Sequence, residues 1–184
     1  SSIESVIKTT IREKGVKVVA FDYLHTSLSI LEEISKKSGG VKLRDDTILF
    51  LLSVKLKEIS TSYGVFILSA TQLNGTWKDA KVLDMNGSRS SKAIADKIDI
   101  GFIMVETTEE DIEKIRPFLE KNGLPIPNIR AVVYKNRANE YKNINMFMRA
   151  DKGICRYDTI FITDQNYNVL NVPNINIRIE KCQQ

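Results

Sequence analysis

Two polar residues stand where apolar runs of the sequence end. Asp22 closes the run "VVAF" at residues 18–21, and Gln72 follows "VFILSA" at residues 65–70. If both runs are parallel strands, their carboxyl ends meet at one edge of a sheet, where nucleotides commonly bind. A carboxylate there can orient the water shell of a nucleotide-bound magnesium ion, and an amide can donate to a phosphate oxygen. An aspartate after a strand also serves as a helix cap or turn residue, so both interpretations stay open.

Two cations in the stretch "YKNRANEY" form a second candidate site. Lys135 and Arg137 alternate along a predicted strand, so we expect their side chains to point to the same side. Neighbouring cations on one face usually belong to a solvated strand face. The alternative is a phosphate clamp, in which arginine supplies a fixed fork of donors and lysine a point charge. Because Arg137 lies near a predicted hairpin turn, it can also be presented to a neighbouring molecule.

A polar loop predicted at residues 74–90 offers a moderately basic surface. Five cations against three acids give this loop and the residues just after it a charge of +2. Such a surface favours a polyanion partner only weakly. The cations are Lys78, Lys81, Arg89, Lys92 and Lys97, and the acids are Asp79, Asp84 and Asp96.

The elements that must position these residues alternate between helix and strand up to residue 105. Apolar residues at helical spacing predict a first helix from Ile3 to Ile11, and a later helix capped by Thr47 and ended by Gly64. Three apolar runs, at residues 16–22, 65–70 and 98–105, predict strands. Continuous apolar strands alternating with helices are typical of a mainly parallel sheet that is covered on both faces.

The pattern changes after residue 105. Residues 106–121 predict an acidic helix, with Thr107 and Glu110 at the spacing of a capping box. Residues 129–158 predict three strands joined by turns, which would form antiparallel hairpins at the edge of the parallel sheet. The tail, residues 159–184, is interpreted as weak strands or an extended arm.

Composition favours one domain that contacts no membrane. The chain has 184 residues and a net charge of +4, and residues 106–120 carry six acids against two cations, so their charge is −4 and the remainder is +8. No apolar run approaches the ~20 residues of a membrane span. Cys155 and Cys182 have no metal-ligand spacing and suggest reduced cytosolic thiols. The start "SSIESVIK" lacks an initiator Met, which is consistent with a fragment of a longer protein.

Four stretches of the chain point together to a known family. They are, in order, "VVAFDYLH", "LLSVKLKEISTSYGVFILSATQLN", "SRSSKAIADKIDIGFIM" and "YKNRANEYKNINMFMRADKGICRYD". In order and spacing they resemble the ATPase domain of replicative helicases of the DnaB type, over roughly residues 1–158. The resemblance implies a RecA-like, partial P-loop NTPase core, a mainly parallel sheet flanked by helices with a C-terminal antiparallel hairpin extension. No G-x-x-x-x-G-K-[ST] phosphate loop occurs in the 184 residues, so the resemblance covers the second half of that domain.

The resemblance assigns a role to each nucleotide-site candidate. Asp22 matches the Walker B aspartate, which holds the Mg²⁺ of ATP through water. Gln72 matches the polar residue that links the γ-phosphate to the DNA-binding loop. Lys135 and Arg137 match the pair that a neighbouring subunit inserts into the ATP site, with Arg137 as the arginine finger.

The resemblance also places single-stranded DNA at the polar loop. Arg89, Ser90 and Lys92 fall where the family grips the strand in a central channel, and Lys78 and Lys81 lie in the same loop. Ser90 stands where the family has an acid, and Lys92 where it has a glycine. The DNA-binding register therefore departs from the family pattern.

The function implied is that of a hexameric replicative DNA helicase, which uses ATP and Mg²⁺ to translocate on single-stranded DNA and unwind duplex DNA. Its expected partners are neighbouring subunits of a homohexameric ring, and a primase and a helicase loader, in the cytoplasm of a bacterial or phage-infected cell. The isolated segment is expected to be inactive, because its phosphate loop is missing. Two alternatives stay open, namely another RecA-like ring ATPase or recombinase, and a non-catalytic, degenerate ATPase that serves as a binding module.

Overall fold

The structure is a computed structural model that describes residues 3–24, 44–72, 94–137 and 141–171. The chain divides into two compact units, unit 1 (residues 1–101) and unit 2 (residues 102–184). None of the helices in the described ranges is both long enough and apolar enough to cross a membrane. The helices and strands are, in chain order, α1 (Ile3–Lys14), β1 (Val18–Phe21), α2 (Asp45–Tyr63), β2 (Phe66–Ser69), β3 (Ile100–Glu106), α3 (Glu109–Asn122), β4 (Ile129–Asn136), β5 (Ile144–Asp151) and β6 (Arg156–Asp164).

Helix α2 ends where the sequence predicts but begins earlier. Gly64 adopts the left-handed conformation, with φ at 61°, and its backbone N–H donates to the carbonyl of Ser60. This geometry is the usual helix stop, because glycine has no Cβ to clash there. The start is different, since Arg44 occupies the cap position and makes no side-chain capping bond. The prediction that Thr47 caps the helix is therefore wrong, and Thr47 lies inside it.

Strands β1 and β2 form a short parallel sheet in unit 1. The paired residues run from Val18 opposite Phe66 to Phe21 opposite Ser69. One face of this sheet packs against the two helices through Val19, Phe21 and Ile67. The helices contribute these buried residues: Ile7, Ile11, Ile48, Leu49, Leu52, Leu56 and Ile59.

The prediction of a mainly parallel, RecA-like sheet is wrong. The described residues form a two-stranded parallel sheet and a separate four-stranded sheet in the order β3-β4-β5-β6. The pairs β4–β5 and β5–β6 are antiparallel. The apolar run at residues 98–105, predicted as a third parallel strand, supplies β3 of the second sheet instead.

The alternating burial of β3 explains this error. Ile103 and Val105 are buried, whereas Ile100 is 51% and Phe102 50% exposed. The strand is therefore half-buried, although both of its faces are apolar. A run that is apolar on both faces cannot reveal from its periodicity alone which sheet it joins.

Helix α3 of unit 2 begins with a capping box one residue later than predicted. The Thr108 hydroxyl accepts from the backbone N–H of Asp111 at 3.1 Å, and the Asp111 carboxylate accepts from the backbone N–H of Thr108 at 3.0 Å. The predicted pair, Thr107 and Glu110, is not the cap. The acidic helix itself is present as predicted, and its buried face contributes Ile115 and Leu119 to a cluster with Phe147 and Phe161.

The predicted antiparallel hairpins are present as β4, β5 and β6, but the prediction that they extend the edge of the parallel sheet is wrong, because they belong to the separate four-stranded sheet. A polar pair lies inside the β5–β6 hairpin, where Asn145 is 4% exposed and its strand partner Thr163 is fully buried. The Asn145 amide donates to the Thr163 hydroxyl at 3.3 Å and to the carbonyl of Asp164 at 2.7 Å. Beyond β6, Val169 pairs with Thr163 in an isolated antiparallel bridge.

Candidate functional site

The carboxyl ends of β1 and β2 form the edge on which the candidate nucleotide residues lie. Phe21 and Ser69 are the last paired residues of the two strands, so the residues that follow each strand emerge side by side. The Gln72 side-chain amide donates to the hydroxyl of Tyr23, the neighbour of Asp22, at 3.4 Å. The two segments that sequence reasoning selected thus share one edge of unit 1.

Backbone contacts hold these two segments together beyond the strands. The N–H of Leu24 donates to the carbonyl of Ala70 at 2.8 Å, and the Ser69 hydroxyl donates to the carbonyl of Phe21 at 2.7 Å. Leu24 is only 7% exposed and belongs to the core of unit 1. The buried Leu24 therefore anchors the segment that presents Asp22, whose peptide bond to Tyr23 is cis.

A hydrated Mg²⁺ would need only one carboxylate from this edge, and Asp22 is the residue that could supply it. Asp22 and Gln72 are both exposed. Within the described ranges, no group of three or more His, Cys, Asp or Glu side chains is placed to hold a metal ion. Mg²⁺ keeps several waters and is usually held through one or two carboxylates together with substrate phosphates. Asp22 supplies one exposed carboxylate at this edge, and Gln72 supplies an exposed amide.

Lys135 and Arg137 lie on the β4–β5 hairpin of unit 2. Lys135 is inside β4 and half-buried, whereas Arg137 follows the last residue of the strand and is exposed. The prediction that both cations lie on one strand is therefore only partly correct, because β4 includes Lys135 but ends before Arg137. The hairpin closes through the N–H of Asn143, which donates to the carbonyl of Val133 at 2.7 Å. With φ at 58°, Asn143 takes the left-handed conformation often given to glycine.

The candidate DNA-binding residues lie outside the described residues. They are Lys78, Lys81, Arg89, Ser90 and Lys92. Of the same group of cations, Lys97 is described, and its Nζ lies 5.5 Å from the centre of the Phe50 ring. The face of an aromatic ring attracts a cation that lies over it. Lys97 thus has a structural contact in unit 1.

Sequence reasoning missed a polar cluster in unit 2. Its members are Asp111 at the start of α3, Arg130 on β4 and Tyr167 after β6. Arg130 Nη1 lies 2.6 Å from Asp111 Oδ1 and 2.8 Å from the Tyr167 hydroxyl, which itself donates to Asp111 Oδ1. The three residues are 19 and 37 positions apart along the chain, so no local spacing reveals them. The one available signal was the capping-box spacing of Thr108 and Asp111.

Burial sets the electrostatics of this cluster. Burial first, and then the hydrogen bond to Asp111, raise the pKa of Tyr167 to about 12. The Asp111 side chain is 4% and the Arg130 side chain 15% exposed, so water screens their attraction little. The cluster fastens the segment after β6 to α3 and β4. Arg130 Nη1, the Asp111 carboxylate and the Tyr167 hydroxyl bond to one another, which indicates a structural role, whereas Arg130 Nε is buried without a hydrogen-bond partner among the described residues.

Comparison with known proteins gives one relative and no family. No family model matches the chain. The chain is 41% identical over 180 residues to the SPbeta prophage-derived uncharacterized protein YorI of Bacillus subtilis (strain 168). The match covers 96% of this chain and 36% of that relative. The chain therefore spans about a third of the length of the curated relative it matches.

Proposed function

We propose that this chain is a segment of an ATP-dependent, hexameric replicative DNA helicase of the DnaB type. The observation that carries the proposal is the parallel pairing of β1 with β2, which sets Asp22 and Gln72 on one edge. This juxtaposition requires two residues that lie 50 positions apart in the sequence, and it matches the site that the resemblance implies. The prophage origin of the relative is consistent with a phage replication protein.

Each described site residue has a defined task in this proposal. Asp22 holds Mg²⁺ through water, Gln72 contacts the terminal phosphate of ATP, and Arg137 with Lys135 reaches the ATP site of a neighbouring subunit. Bound Mg²⁺ would neutralise the phosphate charge that develops during hydrolysis. Phosphoryl transfer depends on positioning and charge neutralisation, so every one of these groups is needed. The protein would act in the cytoplasm of a bacterial or phage-infected cell, with a primase and a helicase loader as further partners.

Single-stranded DNA would bind to the residues that follow Gln72, which are predicted to form a loop. Contact between the γ-phosphate and Gln72 would shift this loop and change its grip on single-stranded DNA. The cations of the loop would hold the phosphate backbone, so binding should weaken as the salt concentration rises.

The test is single-stranded-DNA-stimulated ATPase activity of the intact protein that contains these 184 residues. Asp22→Asn should abolish the stimulated activity while leaving the overall fold intact, because Asp22 is exposed. The matched control is Asp158→Asn, which neutralises another exposed carboxylate, in unit 2. Full activity of Asp22→Asn, or an intact protein without any ATPase activity, would contradict the proposal.

A further inference from the structure

Tyr23 directly follows Asp22 in the chain and contacts Gln72 through its side chain. Its hydroxyl accepts from the Gln72 side-chain amide at 3.4 Å, which joins residues 49 positions apart at the edge of the β1–β2 sheet. The task proposed above for Gln72 leaves this contact unexplained. Tyr23 is therefore a candidate for a role of its own at this edge.

The backbone around Tyr23 is held in place, whereas the Gln72 side chain is exposed. The N–H of Leu24, which is buried, donates to the carbonyl of Ala70 at 2.8 Å, and the Thr71 hydroxyl donates to the carbonyl of Leu24 at 3.4 Å. Tyr23 itself is half-buried. A long, exposed glutamine side chain samples many rotamers and loses this freedom when a ligand fixes it. A hydroxyl on an anchored backbone can restrict the amide before the ligand arrives.

We infer that Tyr23 is a positioning residue, whose hydroxyl holds the Gln72 amide in place for the γ-phosphate of ATP; this role rests on the proposed function. The amide nitrogen carries two N–H donors, so one can stay on Tyr23 while the other donates to a phosphate oxygen. At 3.4 Å the bond is longer than the usual N–H···O distance, and hydrogen bonds at catalytic sites often tighten only when the substrate is bound.

The contact itself is tested in the 184-residue chain without nucleotide. Tyr23→Phe removes only the hydroxyl and should shift the NMR signals of the Gln72 side-chain amide, which are identified as those that Gln72→Ala removes. The control is Tyr63→Phe, which removes another hydroxyl of unit 1, one that accepts from Arg12 at 2.6 Å. The control should leave the Gln72 signals unchanged. Unchanged Gln72 signals in Tyr23→Phe would overturn the inference and leave the proposed helicase function intact.

The consequence of the contact is tested by nucleotide binding to the intact protein of the proposed function. The probes are a non-hydrolysable ATP analogue and ADP, each with Mg²⁺. Tyr23→Phe should weaken binding of the analogue by about 2- to 10-fold, the range that one neutral hydrogen bond supplies. Binding of ADP should not change, because ADP has no γ-phosphate for Gln72 to contact. A general structural loss at this edge would instead weaken both nucleotides, and that outcome would overturn the inference.

A double variant separates the hold on Gln72 from any other effect of the Tyr23 hydroxyl. Without the Gln72 amide the hydroxyl has no group to position, so adding Tyr23→Phe to Gln72→Ala should weaken binding of the ATP analogue no further. Equal weakening with and without Gln72 would overturn the inference. An intact protein that binds neither nucleotide would contradict the proposed function and this role together, even where the amide signals shift.

Discussion

Arg130 and Asp111 form a largely buried ion pair in unit 2, with 2.6 Å between Arg130 Nη1 and Asp111 Oδ1. The second carboxylate oxygen accepts from the backbone N–H of Thr108 at 3.0 Å. Tyr167 adds a third contact through its hydroxyl. One carboxylate therefore joins the start of a helix, a strand and the segment after the last strand.

Replacing Asp111 by alanine should destabilise unit 2 strongly. The change leaves the guanidinium of Arg130 buried without its partner and removes the cap of α3, and breaking a buried pair in this way costs about 3–5 kcal/mol. Hydrogen exchange of the α3 and β4 amides should show this loss in their free energy of opening. The control is Glu106→Ala, which removes the exposed partner of Lys152 and should change the exchange little. Equal hydrogen exchange in both variants would show that the Asp111 contacts contribute nothing to the stability of unit 2.

Unit 2 should lose stability in strongly alkaline solution through Tyr167. Its pKa rises from 10.0 to about 12 in the folded chain, so folding favours the neutral phenol. The stabilisation is complete below pH 10 and is lost as the pH rises through 10 to 12, because the unfolded chain releases the proton first. Burial also raises the pKa of Tyr134, so tyrosinate absorbance should show late-titrating groups, of which Tyr167→Phe removes one. A titration unchanged by Tyr167→Phe would refute this assignment.

Replacing Gly64 should destabilise α2 in a way that depends on the new residue. No atom lies within 4 Å of a Cβ built at Gly64, so only the left-handed backbone opposes a side chain. Gly64→Ala should cost about 1 kcal/mol in the free energy of unfolding of unit 1. Gly64→Asn should cost less, because asparagine tolerates this conformation. If denaturant unfolding gave the same free energy of unfolding for both variants, the left-handed backbone would not be the cause of the loss.

If the intact protein forms the proposed ring, mixing two inactive variants should reveal whether Arg137 acts on a neighbouring subunit. In the intact protein, Asp22→Ala and Arg137→Ala should each abolish the ATPase activity. Mixing the two inactive variants should restore part of it, because some interfaces then combine an intact Asp22 with an intact Arg137. The control mixture pairs Asp22→Ala with Asp22→Ala,Arg137→Ala, in which no such interface forms. If mixing restores nothing, Arg137 does not act between subunits.

The isolated 184-residue chain should hydrolyse no ATP. Its sequence contains no phosphate loop to position the β- and γ-phosphates, and Asp22 alone cannot replace it. Phosphate release should stay at background with or without single-stranded DNA. Hydrolysis by the purified chain that disappears with Asp22→Ala would refute this prediction.

Local signals in the sequence predicted those parts of the fold that depend on near neighbours. Gly64 marked the end of α2, since a glycine after an apolar helical run is a stop signal that needs no distant contact. The hairpins of unit 2 were likewise visible from short strands and turns. The edge shared by Asp22 and Gln72 followed from two apolar runs that each end in a polar residue.

The sequence could not settle choices that only distant contacts decide. Thr107 with Glu110 and Thr108 with Asp111 both satisfy the capping-box spacing, and Arg130 and Tyr167 contact the second pair. The sheet that β3 joins was undecidable for a similar reason, because both of its faces are apolar.

The buried pair of Asn145 and Thr163 has a consequence for how the β5–β6 hairpin tolerates change. A slip of one residue would set Asn145 opposite Ile162 or Asp164 and turn its amide toward hydrocarbon, where an unmade hydrogen bond is expensive. The Asn145–Thr163 pair thus helps to set the register of the hairpin from inside the sheet. The turn at residues 152–155 is therefore not the only feature that sets the pairing, because a register shift between Phe147 and Met148 separates it from the Asn145–Thr163 pair.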